Sequence, residues 1–241
     1  MPTLVYAHRG ASGYAPENTL EAFQLAVDQG AHGVELDVHL TRDKELLVTH
    51  DERIDRLSDG SGLVGSMTLK DIKKHLFNRT HPEYEKATAP TLGEVLELLG
   101  PTGLSVNIEL KNTNDPYPGL EERCVNLVER LGMNDRVIYS SFNHYSMGLI
   151  RRINPEASCG LLYGCFLLNP DEYLLKSGMQ ALHPHYMDLL SNPQAYARVQ
   201  RAGGRVNVWT VNDDRDMRKV AEAGADVLIT NYPDRALAAL G

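Results

Sequence analysis

The 241-residue chain has a single Trp and three Cys. Cys124, Cys159 and Cys165 contain no CxxC pair, so they make neither a complete disulfide framework nor a zinc-finger pattern; buried reduced thiols are the expectation. An excess of positive charge is also missing. The formal net charge is -8, whereas nucleic-acid binders depend on Lys and Arg to neutralise phosphates. Any phosphate handled here must be met locally by a few placed cations. No run approaches the roughly 18 apolar residues of a membrane-spanning helix, and "MPTLVYAHRG" has neither a basic leader nor a long apolar segment. These absences predict a soluble cytoplasmic protein, a monomer or homodimer, with no nucleic-acid partner and no stable membrane association. Low-complexity tracts, charge blocks and internal repeats are lacking too, and the Pro and Gly residues are spread along the chain, so residues 1–241 read as one domain without a linker.

What is present is an alternation. Short apolar runs suited to strands lie at 3–8, 33–40, 104–111, 136–142, 158–163, 180–185, 205–210 and 227–231. Amphipathic stretches such as "NTLEAFQLAVDQG", "TLGEVLELLG", "GLEERCVNLVERLG" and "DDRDMRKVAEAG" fall between most of them, several ending in Gly where a C-cap belongs. Eight such units at 42% hydrophobic content predict an α/β fold, a closed TIM (β/α)₈ barrel, with an open doubly wound sheet as the competing arrangement. One interval breaks the pattern. After the second strand, "TRDKE" is a polar turn and "LLVTHD" a new apolar run, which predicts a β-hairpin. Residues 52 to 88 then form loops and a short helix, giving a small inserted subdomain over approximately 41–88.

Strand periodicity sorts the polar residues. In "GVELDVHL" the period of two puts Glu35, Asp37 and His39 on one face, and in "LSVNIELK" it groups Ser105, Asn107, Glu109 and Lys111. With the apolar faces turned to the helices, Glu35, Asp37 and Glu109 converge near the C-terminal mouth, where barrel enzymes place their sites. Three clustered carboxylates repel unless a cation holds them or some are protonated. All-oxygen ligation suits one hard divalent ion, Mg²⁺ or Ca²⁺ with Mn²⁺ a further candidate, better than zinc. A hairpin turn centred on Asp43 sets Thr49 opposite Asp37 and brings His50 beside it, with His8 at the end of the first strand next door. Two imidazoles flanking a metal can divide proton removal and proton delivery. Arg9 and Lys111 supply a fork and a point charge for a phosphate. Asn207 and Trp209 share the inward parity of "NVWTVND", so the Trp is either core or a surface on which a small polyol stacks. His183 and His185 end the sixth strand without an assigned role, "GASG" is too weak a pattern for a phosphate loop, and Asn18 is the expected N-cap of the first helix.

Taken together, "HRG", "PENTLEAF", "ELDVHLTRD", "LLVTHD", "IELK", "WTVND" and "DVLITNYPD" resemble the glycerophosphodiester phosphodiesterases in their compact bacterial form, over residues 6 to 234. The resemblance implies a TIM barrel with an inserted hairpin subdomain. It also implies metal-dependent hydrolysis of glycerophosphodiesters to sn-glycerol 3-phosphate and an alcohol, through a cyclic 1,2-phosphate. By the same resemblance Glu35, Asp37 and Glu109 hold the divalent metal, His8 and His50 are the acid–base pair, Arg9 and Lys111 contact the phosphate, and Trp209 lies against the glycerol. A lysophospholipase D-type activity is the alternative, and it requires an apolar groove or patch near the mouth; the insert contains no amphipathic membrane helix. A non-catalytic phosphodiester-binding barrel would be expected to lack one of the two histidines or three carboxylates, and all five are present.

Overall fold

A computed structural model describes residues 2–114 and 116–241. Parallel strands β1 (Leu4–His8), β2 (Gly33–Leu40), β4 (Ser105–Leu110), β5 (Val137–Ser141), β6 (Ser158–Tyr163), β7 (Ala181–Pro184), β8 (Arg205–Val208) and β9 (Val227–Thr230) pair in sequence order, and β1 pairs with both β2 and β9, so the sheet closes on itself. This is a TIM barrel, and the open-sheet alternative is excluded by the β1–β9 seam. Short β3 (Leu46–Val48) lies outside the ring, antiparallel to β2.

Several strands are shorter than the apolar runs that predict them. The sixth ends at Pro184, which has no N–H for a further ladder bond, and the seventh ends at Val208, where the chain turns into the mouth. Helices α1 (Leu20–Asp28), α3 (Leu92–Leu99), α4 (Leu120–Arg130), α5 (His144–Ile153), α6 (Pro170–Ser177), α7 (Tyr186–Ser191), α8 (Pro193–Arg201), α9 (Asp214–Glu222) and α10 (Pro233–Leu240) surround the ring, with the single turn α2 (Leu69–Ile72) in the insert. Among the described residues, no helix is long and apolar enough to cross a membrane.

The two faces of each strand fill two different cores. Val34, Leu36, Val38 and Leu40 of β2 point outward and pack with Phe23 and Ala26 of α1 and Val95, Leu96 and Leu99 of α3. Tyr6, Val227 and Ile229, of opposite parity, fill the barrel axis with Trp209. Lower in the axis His183 is fully buried, with Asn207 Nδ2 2.9 Å from its Nε2. Gly160 makes the room: a Cβ there would lie 2.3 Å from the His183 ring nitrogen.

The hairpin has the predicted register. Val38 pairs with Val48 and Leu40 with Leu46, and Thr49 N–H donates to the Asp37 carbonyl at 3.0 Å, so the turn centres on residue 43. Beyond it the insert has an apolar core of its own, Leu47, Ile54, Leu57, Val64, Ile72, Phe77 and Ala89. The chain rejoins the barrel through a Thr91–Glu94 capping box on α3.

Two expectations are corrected. The N-cap of α1 is Thr19, whose Oγ1 accepts from Ala22 N–H at 3.3 Å, while Asn18 sits one residue earlier in the left-handed region at φ 58° with its side chain directed elsewhere. Of the cysteines, Cys124 and Cys159 are buried on the helix side of the wall, but Cys165 lies in the β6–α6 loop and is exposed. Its apolar neighbours Phe166 and Leu168 are exposed as well, so apolar composition does not bury this loop.

Candidate active site

Strand register brings the ionisable groups together. His8 lies level with Glu35 and Glu35 with Asn107, while Asp37 lies level with Glu109 one step nearer the mouth. Alternation turns all of them to the axis. Carboxylate oxygens of Glu35, Asp37 and Glu109 lie within 4.8 Å of one another, all buried. Arg9 follows β1 in the left-handed region at φ 57°, which sends its backbone N–H to Glu35 Oε2 at 3.1 Å and its guanidinium across the cluster. Its Nε lies 3.2 Å from Asp37 Oδ2, although the N–H is not aimed at that oxygen. Lys111, at the end of β4, donates to Glu109 Oε1 at 2.8 Å and lies 3.6 Å from Asp37 Oδ1. Gly10 then lets the loop fold back on α1: at φ 79° its missing Cβ would lie 2.5 Å from the Ala22 carbonyl carbon.

Both histidines are oriented from behind. His8 Nδ1 lies 2.7 Å from Asn231 Oδ1, so it carries the proton toward that acceptor and leaves the Nε2 lone pair toward the cluster, 3.9 Å from Glu35 Oε2. His50 Nδ1 likewise donates to Asp51 Oδ1 at 2.7 Å. The His50 carbonyl accepts from His39 Nε2 at 3.0 Å, and His39 Nδ1 faces the Tyr117 hydroxyl at 3.1 Å. His39, the third inward residue of β2, thus braces the His50 loop instead of joining the carboxylates.

The electrostatics are those of crowded charge. Burial, then repulsion from Asp37 and Glu109, raises Glu35 well above the usual carboxylate range. Burial and Asp37 push Glu109 up to about 7 even with Lys111 beside it. Burial also works against ionisation of Asp37, but Arg9, Lys111, His50 and the Asn18 amide hold it well below the usual range. Burial lowers His8 to about 4, so its imidazole is neutral at pH 7. Burial also lowers His50, with Asp37 and Asp51 pulling the other way.

Two oxygens of the site lack a partner. Asp37 Oδ1 is buried without a hydrogen bond, and so is Oδ1 of Asn107, the residue level with Glu35. A hard cation bound by oxygen would satisfy the first and neutralise the repulsion that raises Glu35 and Glu109. The donor set therefore fits a divalent metal.

His8, Arg9, Glu35, His50, Asn107, Glu109, Lys111, Phe142 and Trp209 line a cavity of 190 Å³. It shares His50, Lys111 and Phe142 with a wider, 580 Å³ opening toward the insert. Trp209 is pinned across the mouth by its indole N–H on the His183 carbonyl at 2.8 Å and by the edges of Phe142 and His185, with ring centroids 5.6 and 5.5 Å away. His183 is core packing. His185 accepts from Met187 N–H at 3.3 Å as the N-cap of α7.

Periodicity does not reveal the supporting residues. Asn18 donates to Asp37 Oδ2 at 2.8 Å and accepts from the Asp37 N–H at 3.4 Å, so the "PENT" loop holds a carboxylate of the cluster. Glu17 accepts from Arg9 at 2.8 Å. Asn231 and Asp51 orient the two histidines. Adjacency in "THD" is a signal for Asp51, but nothing in the spacing marks Asn231, which arrives only when the barrel closes.

Comparison with known proteins places this arrangement. A model of the Glycerophosphoryl diester phosphodiesterase family matches residues 8–235. The chain is 40% identical over 235 residues to a glycerophosphodiester phosphodiesterase of Caldanaerobacter subterraneus subsp. tengcongensis, covering 97% of this chain and 96% of that one. It is 35% identical to the Bacillus altitudinis enzyme of the same name, covering 98% and 97%. Its fold superposes with a TM-score of 0.90 on an Oleispira antarctica phosphodiesterase solved with its product sn-glycerol-3-phosphate, at 32% identity over 99% of this chain and 96% of that one. A family match running from His8 to Arg235 takes in every charged residue gathered at the mouth, and the chain belongs to the glycerophosphoryl diester phosphodiesterase family.

Proposed function

We propose that this phosphodiester hydrolase cleaves glycerophosphodiesters to sn-glycerol 3-phosphate and an alcohol, with a divalent metal held by Glu35, Asp37 and Glu109 and with His8 and His50 as the proton-transfer pair. The observation that carries the reading is the convergence of three buried carboxylates, two oriented imidazoles and two cations on one small cavity. When bound, the metal supplies Lewis acidity and positive charge for a phosphoryl group in transfer.

The residues divide the remaining work. Arg9 and Lys111 grip the non-bridging phosphate oxygens and stabilise charge that builds there in an in-line displacement. Neutral His8, its Nε2 turned inward, takes the proton of the glycerol 2-hydroxyl as that oxygen attacks phosphorus. His50, its imidazolium stabilised by Asp51, gives a proton to the departing alkoxide as the P–O bond to the alcohol breaks. Negative substrate charge raises the proton affinity of both rings above that of the empty site. In the second step the roles reverse: His50 takes a proton from water, the water oxygen attacks phosphorus, and His8 returns its proton to O2, opening the cyclic 1,2-phosphate. Trp209 presents a flat surface to the glycerol carbons. The reduced thiols Cys124 and Cys159 support action in the cytoplasm.

The assay is glycerol 3-phosphate release from glycerophosphocholine. His8→Ala and His50→Ala each lower turnover by about 10²- to 10⁴-fold in folded protein, and excess EDTA silences the wild type until Mg²⁺, Mn²⁺ or Ca²⁺ is restored. Full activity in either variant, or an undiminished rate in EDTA, overturns the assignment.

A specific observation favours a second substrate class at the same centre, diesters whose glycerol retains an acyl chain. Phe142, Phe166 and Leu168 stand exposed in the segments that follow β5 and β6, and Met187 in the first turn of α7 after β7, so apolar side chains are exposed beyond the C-terminal ends of three neighbouring strands. Choline release from lysophosphatidylcholine at a rate comparable to glycerophosphocholine supports it; release below background removes it.

A further inference from the structure

Arg56 lies in the insert, at the end of the 3₁₀ turn Ile54–Arg56, and contributes nothing to the lining of the catalytic cavity. Its guanidinium nevertheless makes four hydrogen bonds to two carboxylates. Nε donates to Asp51 Oδ2 at 2.6 Å and one terminal nitrogen to Asp51 Oδ1 at 3.1 Å. Toward the other side, the terminal nitrogens donate to Glu17 Oε1 and Oε2 at 2.8 and 3.1 Å. Each carboxylate has a second partner. Asp51 Oδ1 accepts from His50 Nδ1 at 2.7 Å, and Glu17 Oε1 accepts from Arg9 at 2.8 Å. A continuous chain therefore runs His50, Asp51, Arg56, Glu17, Arg9, joining the hairpin loop to the β1–α1 loop.

A surface ion pair is the plain alternative, since the Arg56 side chain is 46% exposed and exposed pairs add little to stability. Two features argue for more. The backbone carrying Arg56 is fixed, because its neighbours Ile54 and Leu57 are buried in the insert's own core and Arg79 donates to the Asp55 carbonyl at 2.8 Å. And both carboxylates it grips are only partly exposed, at 13% and 27%, so without the guanidinium two anions would face each other with one cationic partner fewer.

We propose that Arg56 is a positioning residue for hydrolysis, holding Asp51 so that the His50 ring keeps Nε2 toward the cavity, and holding Glu17 so that the Arg9 guanidinium stays across the phosphate position. The inference rests on the reading that His50 and Arg9 act on the diester. A planar fork is required, because an ammonium, with three N–H groups on one atom, cannot reproduce the four directed contacts that the guanidinium makes to the two carboxylates.

The test compares metal-loaded wild type with Arg56→Ala, Arg56→Lys and His50→Ala on glycerophosphocholine. Arg56→Ala lowers kcat/KM by about 10- to 100-fold, mostly in kcat, the loss usual for a residue that orients an acting group. Arg56→Lys recovers only part of it. Millimolar methylguanidinium restores Arg56→Ala toward wild type and does nothing for His50→Ala. Imidazole ¹⁵N–¹H spectra read positioning without turnover: wild-type His50 is a single Nδ1–H tautomer, and Arg56→Ala shows a mixture. Should Arg56→Ala fail to fold, Arg56→Lys carries the same readouts, with a reduced kcat and a mixed tautomer expected. Wild-type kcat and KM with an unchanged His50 tautomer in either folded Arg56 variant overturns the inference and leaves the catalytic assignment standing. Full activity in His50→Ala overturns the catalytic assignment itself.

Discussion

On one side of the barrel mouth β1, β2, β4 and the hairpin present His8, Arg9, Glu35, His50, Glu109 and Lys111, and Asp37 is grouped with Glu35 and Glu109; on the other, β5, β6 and β8 present Phe142, Leu162 and Trp209. Both sides belong to one ring of similar strands. They differ in what lies behind them. On the charged side the ionisable groups have polar partners that fix them, such as Asn18 for Asp37, Asn231 for His8 and Asp51 for His50. On the apolar side the rings lean on one another and the residues below are tightly packed, as with His183 against Gly160. Ionisable groups need directional bonds to stay in a productive state, whereas a surface for carbon needs only shape.

Substitutions on the two sides should therefore fail in different ways. The largest contrast is kinetic. Under the proposed mechanism, His50→Ala on the charged side lowers kcat by about 10²- to 10⁴-fold, the loss expected of a proton-transfer group. Phe142→Ala across the mouth acts mainly on KM, and a kcat loss equal to that of His50→Ala would erase the distinction.

Stability should show the reverse. Gly160→Ala forces a methyl group into the His183 ring and costs about 1–3 kcal/mol by urea denaturation. A wild-type midpoint would mean that the lower barrel has slack the packing does not suggest.

Acid sensitivity follows from the same residue. Burial and Arg205 lower His183 to about 3, below the 6.5 of an exposed imidazole, so the unfolded chain binds this proton more readily than the folded one. Its contribution to stability is complete above pH 6.5. As pH falls from there toward 3 it is lost, by about 1.4 kcal/mol for each pH unit. His183→Gln flattens this slope in denaturation curves between pH 6.5 and 4.5; an unchanged slope would assign the acid sensitivity to other groups.

The smallest expected effect concerns the rim. Cys165 in native protein reacts promptly with a thiol reagent and leaves glycerophosphocholine turnover near its starting value, while Cys124 and Cys159 react only after denaturation. Reaction of all three thiols in the folded state would contradict the packing of the helix side.

Much of this contrast was legible beforehand, and the reason is periodicity. "GVELDVHL" and "LSVNIELK" place Glu35, Asp37 and Glu109 because a strand offers two faces only, and a hairpin centred on Asp43 carries Thr49 and His50 to Asp37. Contacts made by irregular backbone follow no such rule. Asn18 looks like a cap in sequence, yet a left-handed φ turns its amide to Asp37 and passes the cap to Thr19. Arg56 and Glu17 are 39 residues apart, and only the folded insert reveals that they touch. The exposure of Cys165 escapes the sequence for a related reason: apolar neighbours in a loop do not determine whether the fold covers it.

The bond between His8 and Asn231 joins residues 223 positions apart, across the β1–β9 seam where the two ends of the chain meet. The first strand and the last are thus each other's quality control: His8 is left without its orienting acceptor until the ring has been sewn shut. Recovery of hydrolysis after denaturation would then time the closing of that seam, and a split or circularly permuted chain would regain activity only where its new ends leave those two strands free to meet.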